Sequence, residues 1–130
     1  MRSRFFALTV CGLAWATASW ASPRYPVSAV PTLSCMSLKV TDQQAMDPSF
    51  VVPFHKGPSE HTPVVGRASS VVLVKKPVVE KDGFIAAVLF NGVPGWVSAT
   101  TLGPWHTMDG SSGRCIPSRM SDGSIGFDIK

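Results

Sequence analysis

The chain has 130 residues, a formal net charge of +4, 45% hydrophobic residues and 15% charged ones. That length holds one small domain, which hides only about two-thirds of its unfolded surface. The 12 basic residues form no run or stripe, so the electrostatic footprint of a nucleic-acid-binding protein is absent.

Residues 1–21 read as a secretory signal peptide. Arg2 and Arg4 make a positive start, residues 5–18 carry no charge, and Ser19-Trp20-Ala21 places small residues before a cleavage site at Ser22. The apolar run is shorter than the roughly 20 residues that span a bilayer, so no membrane anchor remains after cleavage. Cys11 follows Val10 too early in the apolar run for a lipidated cysteine. Removal of Arg2 and Arg4 leaves 10 basic residues against 8 acidic ones, a net charge of about +2. The localisation expected is periplasmic or secreted.

Two cysteines then remain, Cys35 and Cys115. An even pair in an exported chain reads as a disulfide, and neither cysteine has the neighbours of a zinc motif. A bridge across 80 residues contributes about 4–5 kcal/mol in the chain-entropy account.

Residues 22–34 contain Pro23, Pro26 and Pro31 without periodicity and read as an extended, mobile leader. Residues 35–41 alternate as a half-buried strand, and 42–49 read as a turn or short helical loop. Residues 50–54 are apolar but hold Pro53, which predicts an edge strand or the mouth of a loop. A polar loop follows around Gly57-Pro58. Val64 and Val65 return to the core, and Val71-Val72-Leu73-Val74 is a short β-branched run. Asp82-Gly83 and Asn91-Gly92 are hairpin signals on either side of the strongest strand, residues 84–90. Trp96 and Val97 begin another strand, with a 3₁₀ turn over 98–102. Asp109-Gly110-Ser111-Ser112-Gly113 lacks the lysine of a phosphate loop and reads as a flexible link. A last hairpin turns at Asp122-Gly123. The spacing of turns predicts an all-β fold, a small barrel with flanking segments.

The order Lys56-Gly57-Pro58-Ser59, Pro63-Val64-Val65-Gly66, Gly83-Phe84 and Asn91-Gly92-Val93-Pro94-Gly95-Trp96-Val97 resembles the bacterial SH3-like domain. The match covers about half the chain, with a core at about 50–102 inside a single domain of residues 35–130. Phe84 stands where the family has a tryptophan. Val52-Pro53-Phe54-His55 replaces the family's Leu-Asn-Val-Arg, without the Asn and Arg that tie its loop. Cys35 and residues 114–130 fall outside that core, so the bridge is expected to clasp the flanking segments.

The resemblance implies a non-catalytic cell-envelope module that binds a peptide, a peptidoglycan fragment or an exported protein partner. The alternative is a structural subunit or inhibitor of another exported protein. The ligand site is expected beside the Gly57-Pro58 loop, lined by Phe54, His55, His61 and Trp96, with Trp105 at its rim. Aromatic walls with a few polar tips suit a peptide. The chain has no G-x-S-x-G elbow. His55, Glu60 and His61 are the residues that could meet at a metal, but no short motif supports one. No cofactor is expected.

Overall fold

Strands here are short because Pro and Gly punctuate the sequence every few residues. The computed structural model describes residues 12, 15, 16, 20 and 22–130. Most of the predicted signal peptide, with the cleavage site after Ala21, lies outside the described residues. The described chain is all-β, and its strand pairs are antiparallel.

The eleven strands are β1 (Pro26–Ala29), β2 (Leu33–Leu38), β3 (Pro53–His55), β4 (Val64–Arg67), β5 (Val71–Lys75), β6 (Glu80–Lys81), β7 (Phe84–Val88), β8 (Pro94–Ser98), β9 (Leu102–Pro104), β10 (Cys115–Met120) and β11 (Ile125–Ile129). One sheet runs β4-β3-β8-β7-β5-β2-β9, with β6 also paired to β7; the other runs β1-β10-β11. Helix α1 (Asp42–Met46) starts at Thr41, whose hydroxyl accepts from the Gln44 amide while the Gln44 side chain accepts from the Thr41 amide. That reciprocal cap is what makes five residues helical although none of them is buried.

Three expectations change. Residues 26–29 are a strand on β10, not a mobile leader. The strand has no apolar period because it buries nothing: all four residues are exposed, and backbone bonds hold it. Val30 N donates to the Pro117 carbonyl, and Ser121 N to that of Tyr25. Second, β3 lies between β4 and β8 and not at an edge, while the alternative, the mouth of a loop, stands, since residues 56–62 follow it directly. Its ladder to β8 has the single pair His55–Trp96, beyond Pro53, which has no amide hydrogen to give. Third, the main sheet reaches from Leu33 to Pro104, because β2 fits between β5 and β9. Cys35 therefore belongs to the main sheet, opposite Leu73.

The Val71–Val74 run is continuous because β5 is covered on both faces. Val72 and Val74 enter a cluster with Val52, Phe54, Ile85, Ala87, Val97 and Leu102. Leu73 points the other way, to Leu33 and Ile125 between the two sheets. Phe90 and Phe127 extend that second cluster, their ring centres 6.0 Å apart. Cys35 and Cys115 are bridged, with Cα atoms 6.1 Å apart. The bridge joins the main sheet to the small one.

Asp82 and Gly83 both have positive φ, 51° and 81°, so this hairpin uses the two-residue turn that its sequence signals. The Asn91-Gly92 hairpin forms differently. Gly92 N donates to the Leu89 carbonyl and Leu89 N to that of Val93, so the loop has three residues and only Gly92 is left-handed. The 3₁₀ turn (Ala99–Thr101) stands as expected. Asp47, Asp109 and Asp122 each precede a serine by two residues. The hydroxyl and then the amide of Ser49, Ser111 and Ser124 hold these carboxyls below the usual range. The residues 109–113 are thus a bonded turn, with Thr107 Oγ1 also donating to the Ser111 carbonyl.

Gly95 permits the closest approach in the main sheet. A Cβ there would overlap the Phe54 ring and lie 2.8 Å from the His55 carbonyl oxygen. Gly95→Ala is expected to destabilise the domain by about 1–3 kcal/mol, as overpacking does. Urea titration reads this directly, and a change below about 0.5 kcal/mol would show that β3 and β8 are free to part.

Candidate functional site

Alternation along β7 and β8 sorts their side chains. Ile85, Ala87 and Val97 enter the main cluster, whereas Phe84, Ala86, Trp96 and Ser98 share the outer face by their register. His55 joins this outer face as the cross-strand partner of Trp96. A bulge between Phe54 and His55 in the ladder to β4, where His55 faces Val64 and Phe54 faces Gly66, re-aims the chain at this point.

The loop after β3 is tied by one residue, Thr62. Its hydroxyl lies 2.7 Å from the Ser59 carbonyl and 3.1 Å from that of Gly57, and it accepts from the Gly57 amide at 3.1 Å. Lys56 N closes the loop on the Pro63 carbonyl at 2.8 Å. Thr62 is thus the residue that ties this loop. It also orients His55: Nδ1 lies 3.1 Å from the Thr62 carbonyl, which can only accept, so Nδ1 carries the hydrogen.

The His55 ring is 6% exposed and meets Phe84 edge-on, with centres 5.7 Å apart. Among the described residues no buried side-chain nitrogen or oxygen lacks a partner, and His55 Nε2 makes no hydrogen bond. This nitrogen is therefore not fully enclosed. His55 lines a cleft of about 590 Å³, within the ordinary size of ligand sites. Phe50, Val52, Pro53 and Phe84 supply its apolar walls. Its polar lining includes His55, Lys39, Glu60, Ser98, Thr100 and Thr101, with Gln44 beside them.

The electrostatics of this cleft are those of a separated pair. The ion pairs among the described residues are Arg24–Asp122 at 3.8 Å and Lys130–Asp128 at 3.9 Å. Lys39 and Glu60 are in neither, so the cleft presents one positive and one negative side chain that do not neutralise each other. Three hydroxyls, from Ser98, Thr100 and Thr101, add donors and acceptors; the first two lie 3.0 Å apart.

The residues expected at the site are only partly brought together. His55 is in the cleft. Phe54, 1% exposed, is core instead. His61 is exposed on the Gly57-Pro58 loop, with its amide on Ser59 Oγ, and does not line the cleft. Trp96 is half-buried and faces a neighbouring depression with Lys56, Val65 and Lys75. Trp105, which follows β9, is not among the residues that line the cleft. It is half-buried. Among the described residues, no group of three His, Cys, Asp or Glu is gathered for a metal.

Lys39, Thr62 and the Ser98–Thr101 hydroxyls were absent from the sequence reading of the site. The Ser-Ala-Thr-Thr run was legible as a 3₁₀ turn, but nothing in its spacing places it across from His55. The bridge between Cys35 and Cys115 belongs with chains that fold in an oxidising compartment. Among the described residues no helix is long and apolar enough to cross a membrane. Comparison with protein-family models, with curated proteins and with solved structures finds no match for this chain.

Proposed function

We propose that this chain is an exported, non-catalytic binding module of the cell envelope, and that the His55 cleft takes a short peptide, of the kind carried by peptidoglycan. The signal-like start and the disulfide support export. The order of the Gly-Pro loop and the Gly-Trp-Val strand supports an SH3-like module.

One observation carries the ligand class. Lys39 and Glu60 line the same cleft without pairing, around an imidazole whose orientation Thr62 fixes. A peptide end or a stem peptide offers a carboxylate and an ammonium together, and so can meet both. Phe50 and Phe84 cover its apolar part. With Nδ1 bonded to the Thr62 carbonyl, Nε2 is the ring nitrogen left for the ligand.

Retention of the purified protein on isolated sacculi tests this. Lys39 and Glu60 are exposed, so Lys39→Met and Glu60→Gln should fold normally. Each is expected to weaken retention by about three- to tenfold, the loss of one charge-assisted contact at a solvated rim. Trp105→Ala should leave retention unchanged. Unaltered retention in both charge variants would refute the cleft as the binding site, and no retention of the parent protein would refute the ligand class.

A further inference from the structure

A second concavity lies where the two sheets meet, and no residue lines both it and the His55 cleft. Four chain corners build it. The β1–β2 link meets the end of β5, where Lys76 N donates to the Thr32 carbonyl at 2.8 Å. The β7–β8 loop meets the β10–β11 hairpin, where Ile125 N donates to the Phe90 carbonyl at 2.9 Å. The groove measures about 660 Å³. Leu33, Val79, Val88 and Ile125 provide its apolar surface.

Its charge is one-sided. Lys75, Lys76 and Arg119 line it, and none of the chain's carboxylates does. Among the described residues none of these three cations is in an ion pair. Arg119 Nη1 donates to the Gly123 carbonyl at 3.3 Å, which holds that guanidinium at the rim. Asp122, next to Gly123 in the chain, is occupied by Ser124 and Arg24. Asn91 uses its side-chain oxygen on the Val93 amide, so its NH₂ is the end left to donate. The groove therefore offers cations and donors around an apolar floor, and lacks a countercharge of its own.

We propose that this groove docks an extended acidic segment of a partner protein, with carboxylates on Lys75, Lys76 and Arg119 and aliphatic side chains on the floor. Charge complementarity selects an anionic occupant, and the concave apolar floor selects one with side chains to bury. A membrane surface suits clusters of about four to eight cations, more than this groove holds. Single-stranded nucleic acid would need aromatic faces for stacking, and none lines the groove. A small inorganic anion would leave the floor unused.

The test uses the purified protein with its bridge intact and a short fluorescein-labelled peptide alternating glutamate with leucine and valine. Anisotropy should show binding that weakens as salt rises, since exposed charges are screened over about 10 Å at 0.1 M. Lys75→Glu combined with Arg119→Glu should weaken it about tenfold or more, while Arg114→Gln, at an exposed cation that lines neither concavity, leaves it unchanged. Amide shifts of the parent protein should move at Val79, Asn91 and Ile125, a readout that holds even if the double variant folds poorly. The proposal is overturned by equal binding of a peptide with glutamine in place of glutamate, or of polyglutamate. Uptake on phosphatidylglycerol vesicles without peptide binding, shifts confined to other surfaces, or absence of binding would overturn it equally.

Discussion

Phe54→Ala is expected to remove about 3–5 kcal/mol of stability, the usual cost of deleting a buried phenyl ring. Phe54 is 1% exposed and packs among Val52, Val97 and Leu102. The surroundings can collapse little into the space. Gly95 presents bare backbone to the ring, and β3 pairs with β8 at a single position. A domain of this size has about 5–15 kcal/mol in total, so the variant should be close to its unfolding limit at physiological temperature. Urea titration should show a lowered midpoint at unchanged slope. A loss below about 1 kcal/mol would mean that the ring is a replaceable wall and not part of the core. Glu60→Gln provides the contrast, since it should reduce binding and leave the midpoint in place.

Opening the Cys35–Cys115 bridge is the second large effect. Cys35→Ser with Cys115→Ser should cost about 2–5 kcal/mol, as the loss of a native bridge does in small secreted domains. The residues are 80 apart in sequence, so the bridge removes much freedom from the unfolded chain. The loss should also be uneven. The small sheet otherwise holds to the main one through the Leu33–Leu73–Ile125 cluster, the Phe90–Phe127 contact and a few backbone bonds. Hydrogen exchange should therefore quicken in β10 and β11 more than in β5 and β7. Equal acceleration throughout would mean that the two sheets unfold as one unit. The inter-sheet groove should lose its peptide in this variant before the His55 cleft loses sacculus retention.

The signals that could be read without a structure were local ones. Asp82-Gly83 specifies its turn because two successive left-handed residues suit few other pairs. The 3₁₀ turn at Ala99–Thr101 and the hairpin at Asp122-Gly123 were likewise written in short stretches. The bridge was a matter of counting, since Cys35 and Cys115, the two cysteines outside the signal-like start, have one way to pair. The all-β class followed from the density of such turns. β1 was missed because it buries no side chain, and hydrophobic period is the signal by which strands are recognised.

Residue type and turn chemistry, which act over a few neighbours, were determined by the sequence alone; the faces were decided by tertiary contacts. Side chains on a strand alternate, so one residue of phase decides whether Phe54 or His55 enters the core. Gly95 leaves room for the ring only on the inner side, and His55, the next residue, faces out to Thr62 and Phe84 as the partner of Trp96. Lys39, Glu60 and Ser98 come to the same cleft from the end of β2, the Gly57-Pro58 loop and β8. Their meeting depends on how distant strands pair, and no local spacing along the chain encodes it.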